Sequence, residues 1–252
     1  MRLAAQLYTV REFTNTDDEV KRTLARIREI GYEAVQISGF KAYNPAIIAG
    51  ALRENGLAVC ATHTPLDRIL HETEKVIEEH KLFSAKYVGL GYFRGEALAD
   101  YEKLLDDLAP AIEKIHAAGL TMLYHNHAHE LKKYGGVRPL DKMRERTTAG
   151  VFDFLPDLYW LQTAGCSPEA MLREYAGRTP VVHFKDMRVP PEEGKTNMAE
   201  IFEGNMDYET LYRVCKELGV EWAAVEQDTC DGDPFTSLKI SFDNMKARGL
   251  IK

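Results

Sequence analysis

A (β/α)8 barrel is the fold this sequence predicts, and three observations predict it. Eight short apolar runs alternate with charged, helix-compatible stretches. Several of those stretches end at glycine a few residues before the next apolar run. Four apolar runs in the second half exit into side chains capable of chemistry, and barrel enzymes place their sites at the C-terminal ends of strands.

Taken in order, the first predicted strand covers 3–8 and the first helix 16–30. Arg28-Glu29-Ile30-Gly31 closes that helix before the strand at 33–38. A glycine just past a helix takes the left-handed conformation that finishes the last turn. Helix 44–55 ends at Glu54-Asn55-Gly56 before the strand at 57–62, and helix 67–83 leads into the strand at 86–91. Helix 98–118 ends at Ala117-Ala118-Gly119 before the strand at 120–126. Helices at 138–146 and 167–176 precede strands at 151–156 and 180–184. Helix 207–218 ends at Glu217-Leu218-Gly219 before the strand at 221–227, and a helix at 235–248 completes the plan. The gaps are as short as αβ connections usually are. The strands are continuous apolar runs, as a parallel sheet buried on both faces requires. A doubly wound open sheet is the alternative, but no G-x-G-x-x-G follows the first strand. No Pro/Gly/Ser-rich linker divides the chain, so residues 1–252 are expected to form one barrel domain. The stretch from Arg188 to Gly204, with Pro190, Pro191 and Gly194, is predicted as a long loop over the barrel mouth.

Composition narrows the function. The chain is 45% hydrophobic and 28% charged, enough to bury a sizeable core, and its net charge is -7. Duplex nucleic acid usually demands a basic face, and none is visible, so no nucleic-acid partner is expected. Cys60, Cys166, Cys215 and Cys230 are far apart and read as reduced thiols. The apolar start, Met1 to Leu7, is too short for a signal peptide. No run reaches the roughly 18 apolar residues that span a bilayer. The expectation is a soluble, cytoplasmic protein with no membrane partner; a homo-oligomer is an open reading.

The chemistry-bearing strand exits are Leu123-Tyr124-His125-Asn126-His127, Phe154-Leu155-Pro156-Asp157, Val181-Val182-His183-Phe184-Lys185-Asp186 and Ala224-Val225-Glu226-Gln227-Asp228. Side chains alternate faces along a strand, so His125 and His127 share one face, and His183 and Lys185 share another. His125 is read either as a metal ligand or as a loop histidine satisfied by backbone. Lys185 is read either as a group that neutralises negative charge or holds a substrate hydroxyl, or as half of a rim ion pair with Asp186. Glu226 ends an apolar strand, and an unpaired buried carboxylate is costly, so a metal or Lys185 is expected beside it. Asp157 reads as a helix N-cap, a metal ligand, or both; Asp153 is a weaker competitor. Two imidazoles and two carboxylates suit Mn, Co, Fe or Zn better than Ca. His63 and Tyr8 end the third and first strands and suit hydroxyl recognition, with structural roles equally open. Trp160 reads as a stacking surface for a sugar or as core. Asp186 joins the expected substrate-binding set. No Gly-rich phosphate cradle follows the seventh or eighth strand, which points to an unphosphorylated sugar or polyol.

These residues resemble the xylose isomerase-like TIM-barrel superfamily, the sugar phosphate isomerases and epimerases. The resemblance covers nearly the whole chain. It runs through Gln6-Leu7-Tyr8-Thr9-Val10-Arg11, Tyr124-His125-Asn126-His127, Asp157-Leu158-Tyr159-Trp160 and Ala164-Gly165-Cys166-Ser167-Pro168. It continues through Gly177-Arg178, His183-Phe184-Lys185-Asp186, Glu203-Gly204-Asn205, Val225-Glu226-Gln227-Asp228 and Ser237-Leu238-Lys239-Ile240-Ser241. It implies one divalent metal ion (Mn, Co, Fe, Zn or Mg) held by His125, Asp157, His183 and Glu226. It also implies isomerase or epimerase chemistry by proton abstraction next to a carbonyl, through an enediolate. The chain departs from the best-understood ketose epimerases at His125, where those have Glu. Glu226 alone keeps its place, and Glu130, His127 or Lys185 must supply the second acid/base group. Relatives also dehydrate inososes and cleave oxidised glycosides by β-elimination, so a lyase is the alternative. An endonuclease-like barrel and a non-catalytic sugar-binding barrel stand behind both.

Overall fold

Eight parallel strands curl around a common axis. The computed structural model describes residues 1–189 and 195–251. The barrel strands are β1 (Arg2–Gln6), β2 (Ala34–Ile37), β3 (Ala58–Thr64), β4 (Tyr87–Leu90), β5 (Thr121–His125), β6 (Phe152–Leu155) and β7 (Val181–Phe184). A small antiparallel hairpin, β8 (Asp186–Arg188) and β9 (Asn197–Ala199), precedes the last barrel strand, β10 (Trp222–Val225). Pairing runs β6-β5-β4-β3-β2-β1-β10-β7. The circle is completed between β6 and β7 by one bridge, Asp157 to His183, with the His183 amide donating to the Pro156 carbonyl at 2.9 Å.

Strand parity sorts the side chains into two apolar bodies. Outward residues such as Val35, Val88, Tyr124, Phe154, Phe184 and Val225 pack under the surrounding helices. Inward residues fill the barrel: Ala4, Ala34, Ala61 and Ala224 lie against Tyr87, Leu123, Leu155 and Trp222. Large side chains opposed to alanines fill the interior in layers, so the barrel is a packed core and its chemistry is pushed to the top layer. That layer is where inward-facing Gln6, Gln36, His125, His183 and Glu226 fall, all buried.

The predicted elements are present with trimmed ends, and three places differ. β1 stops at Gln6 rather than reaching 8, because the Gln6 side chain accepts from the Tyr8 amide and starts a 3-10 turn, Leu7–Phe13. The helix expected at 67–83 is two, Leu66–His71 and Thr73–Leu82, broken at Glu72 with φ -129° and ψ 32°. The long loop after β7 contains the β8/β9 hairpin at its base, while Pro190, Pro191 and Gly194 lie outside the described residues. The hairpin is anchored by the Asp186 carboxylate, which accepts from the amides of Met187, Phe202, Gly204 and Met206 at 2.7–3.2 Å. Position 204 must be glycine here: a Cβ would sit 2.3 Å from Asp186 Oδ1.

His80 gives the fold a pH dependence. Its Nδ1–H donates to the Val76 carbonyl at 2.6 Å, and Nε2 accepts from Thr62 at 2.8 Å. Burial pushes its pKa down from 6.5 to about 4. An unfolded chain therefore binds a proton that the fold refuses. The stability is fully present above about 6.5 and is lost as pH falls toward 4. Unfolding in urea at pH 7 and pH 5 should show about 2 kcal/mol of this loss. His80→Gln should show a correspondingly smaller drop; equal drops in both proteins would assign the pH dependence elsewhere.

Candidate metal centre

Four side chains from four strand ends converge on one point. A nitrogen of His125, an oxygen of Asp157, a nitrogen of His183 and an oxygen of Glu226 all lie within 4.8 Å of one another. The closest approaches are His183 Nδ1 to Glu226 Oε2 at 3.0 Å, His125 Nε2 to Asp157 Oδ2 at 3.4 Å, and His183 Nδ1 to Asp157 Oδ2 at 3.6 Å. All four side chains are at most 4% exposed.

The orientation of each imidazole is set from behind. His125 Nδ1–H donates to the Gly91 carbonyl at 3.1 Å, which turns Nε2 inward. His183 Nε2–H donates to Gln36 Oε1 at 2.7 Å, which turns Nδ1 inward. In these tautomers both inward nitrogens carry lone pairs and face carboxylate oxygens. Such outer contacts are how metal-binding histidines are held. Asp157 divides its oxygens: Oδ1 caps the Leu158–Thr163 helix at the Trp160 amide, and Oδ2 faces the imidazoles. Its own amide donates to Asn126 Oδ1 at 3.1 Å. Glu226 Oε1 accepts from Gln6 Nε2 at 2.6 Å, leaving Oε2 for the cluster.

Lys185 enters the same space. Its Nζ lies 3.0 Å from Asp157 Oδ2, 2.9 Å from Glu226 Oε2 and 3.1 Å from Asp228 Oδ2. Burial works against this ammonium, but the three carboxylates outweigh burial and hold its pKa above the ordinary lysine range. Burial likewise opposes the Asp157 and Glu226 carboxylates, and Lys185 and the imidazoles more than offset it, so both are held low. Burial, then the Glu226 charge, pushes Asp228 up.

The residues fit a divalent cation. His183 Nδ1 is a buried atom with no hydrogen-bond partner, 3.0 Å from Glu226 Oε2, which the Lys185 ammonium meets from the other side at 2.9 Å. Three carboxylates face one ammonium, so negative charge is in excess where it is costly. Donor spacings of 3.0–3.6 Å match those around an ion with bonds of about 2.1 Å.

A cavity of about 560 Å³ opens above the cluster. Tyr8, His63, His125, His127, Glu226 and Asp228 line it, with Pro65, Leu66, Leu90 and Tyr92 as apolar wall. Tyr8 is on the turn after β1, its ring stacked under the Arg11 guanidinium at 4.0 Å. His127 is flanked by Tyr92, His129 and Trp160, and its buried Nδ1 has no partner. Burial, helped by His125, pushes its pKa down to about 3. Trp160 stands behind His127, 5.7 Å from the Lys185 ammonium.

Of the expected site residues, Trp160 and Lys185 sit beside the cluster without lining this cavity, and Glu130 and Asp186 are brought to neither. Glu130 lies beyond β5 on a 3-10 turn and is fully buried. Tyr124 Oη–H and the His127 amide donate to its carboxylate at 3.0 and 2.9 Å, and His129 Nε2 lies 3.2 Å from it. Asp186 is consumed by the four amides of the hairpin. Asp153 sits lower in the barrel, 3.5 Å from Arg178. Sequence reasoning missed Gln6, Gln36 and Asp228. The signal was available for the first two: a glutamine of inward parity closing an apolar strand.

Comparison with known proteins agrees with this architecture. A family model for the xylose isomerase-like TIM barrel matches residues 24–247. Inosose dehydratase of Clostridium beijerinckii is 28% identical over 183 residues, 65% of this chain. The chain spans 57% of the length of that curated relative. A sugar phosphate isomerase/epimerase of Parabacteroides distasonis superposes with a TM-score of 0.82, at 18% identity over 100% of this chain and 95% of that one. The zinc-bound IOLI protein superposes with a TM-score of 0.71, at 14% identity over 99% of this chain and 96% of that one. At these identities the structural likenesses speak for fold. The match of the family model over most of its length shows that the chain belongs to the xylose isomerase-like TIM-barrel family.

Proposed function

We propose that this chain is a divalent-metal-dependent enzyme that removes a proton next to the carbonyl of an unphosphorylated keto-sugar or polyol ketone, and returns it to isomerise or epimerise the substrate. The observation that carries this reading is the pair of lone-pair-bearing imidazole nitrogens facing two carboxylate oxygens at four strand ends. His125, Asp157, His183 and Glu226 would hold the cation, which supplies Lewis-acid polarisation of a carbonyl.

The rest falls to the chain's own groups. Lys185, held as an ammonium by three carboxylates, donates to substrate oxygen and steadies negative charge that grows there. Glu226 lines the cavity but is committed to Gln6, Lys185 and the cation position, so proton transfer falls to its neighbours there, His127 and Asp228. His127 follows β5 and Asp228 follows β10, three strand positions apart around the barrel, and both line the cavity. Two groups on different sides of a substrate are what transfer between faces or carbons requires. Asp228 thus takes the second acid/base place for which Glu130 is too far committed. Tyr8 and His63 contact hydroxyls at the rim.

Turnover of keto-sugars in D2O should place deuterium on the carbon next to the carbonyl, and a chelator should abolish it. His127→Gln and Asp228→Asn should each lower kcat by about 100-fold or more. Undiminished turnover in both variants would remove them from the mechanism. A dehydratase is the second reading, favoured by the Clostridium relative and by an ammonium placed to protonate a departing hydroxyl. Mass spectrometry separates the two: an isomer keeps the substrate mass, and a dehydration product lacks one water.

A further inference from the structure

His63 is the imidazole that this reading leaves without work beyond the rim. It ends β3, on the wall opposite Lys185's carboxylates, and its ring centroid is 4.9 Å from that of His125 and 5.3 Å from that of His183. Ligand-capable nitrogens of His63, His125 and His183 all lie within 4.8 Å of one another, in a cluster that shares its two imidazoles with the four-residue set but does not bring His63 within that distance of both Asp157 and Glu226. Nε2 of His63 is buried with no partner, and Nδ1 lies 3.3 Å from Ser38 Oγ. With Nδ1–H donating to Ser38, the Nε2 lone pair is left free, the same arrangement that Gly91 imposes on His125 and Gln36 on His183. Room for the ring is made by the neighbouring strand: a Cβ on Gly91 would lie 2.6 Å from the His63 ring. Gly91 therefore serves two imidazoles, admitting one and orienting the other through its carbonyl.

We propose that His63 is a fifth protein donor, through Nε2, to the cation held by His125, Asp157, His183 and Glu226. This rests on the metal site of the proposed function and adds to it. His125 and His183 each have one nitrogen already spent on a hydrogen bond, so the three imidazoles serve one cation rather than two. The resulting set is three nitrogens and two carboxylates. Imidazole-rich sets favour Zn, Fe, Co or Ni, whereas Mg and Mn prefer oxygen. His63 then acts on metal choice, which a contact to substrate hydroxyl would not affect.

The test needs no substrate. Metal-free wild type, His63→Ala and His63→Gln are titrated with Zn2+ against a chromophoric chelator and with Mn2+ by paramagnetic resonance. Visible spectra of the Co2+ forms are recorded, and thermal melts establish that each variant is folded. Wild type should bind one ion. Both variants should bind Zn2+ more weakly by at least the roughly 10- to 100-fold that loss of an outer partner causes. Their Mn2+ affinity should change less, and the Co2+ bands should shift. Wild-type Zn2+ affinity and an unchanged Co2+ spectrum in the variants would overturn the role of His63 alone. A wild type that binds no divalent ion would overturn the metal site and His63 together.

Discussion

Replacing His183 or Glu226 with alanine is expected to strip the protein of its divalent cation while leaving the barrel folded. Each residue supplies an inward atom to the cluster: His183 Nδ1, which no hydrogen bond satisfies, and Glu226 Oε2, which meets the Lys185 ammonium at 2.9 Å. Each variant also frees the group behind it: Gln36 loses the His183 donor, and Gln6 loses the Glu226 acceptor. Elemental analysis after dialysis should find about one equivalent in wild type and little in the variants. Turnover should fall by more than about a hundredfold, since a Lewis acid supplies several kcal/mol of charge stabilisation. Saturating metal should raise the melting temperature of wild type only, because an ion at 100 times its Kd adds about 2.7 kcal/mol to the folded state. Full occupancy in both variants would sink the ligand assignment.

Lys185→Met should destabilise the metal-free protein by about 3–5 kcal/mol, the usual effect of removing one partner from a buried charge cluster. Methionine keeps the stem and removes the ammonium, and Asp157 and Glu226 are left facing each other without a counter-charge. The same substitution should be much milder with metal bound, because the cation offsets those carboxylates. Urea unfolding of both proteins with and without saturating Zn2+ measures the difference. Metal should therefore stabilise Lys185→Met more than it stabilises wild type. If the variant matched wild type without metal, the ammonium would have no part in neutralising the site.

Burial on both faces made the barrel legible: Val181-Val182-His183-Phe184 and Trp222-Ala223-Ala224-Val225 read as strands because neither side meets water. The strand ends were legible to within two residues, and the two by which the first strand falls short are those where the Gln6 side chain replaces the ladder at the Tyr8 amide. The β8/β9 hairpin left no trace, since two three-residue strands carry too little alternation to register. The break at Glu72 was equally silent, lying inside a run of good helix formers. The convergence of His125, Asp157, His183 and Glu226 was readable from position alone. Asp186 was misplaced although parity already argued against it: His183 and Lys185 face inward, so the residue after Lys185 turns away. Glu130 lies past the strand on an irregular turn, where no periodicity governs direction. Asp228 closes the Ala224–Asp228 strand exit on the same parity as Glu226, and only its role was not read there.

The barrel is stitched by ordinary strand ladders everywhere except between β6 and β7, where a single bridge joins Asp157 to His183. Those two residues are also among the proposed ligands of the cation. The ion would act as a clasp on the seam, and its departure would loosen a joint rather than only empty a pocket. Amide hydrogen exchange should report this directly: metal should slow exchange along β6 and β7 far more than along β4 and β5, whose ladder is continuous. Proteases should likewise find their first cut near this seam when the protein is stripped of metal, so the chain's resistance to degradation would track the supply of its ion.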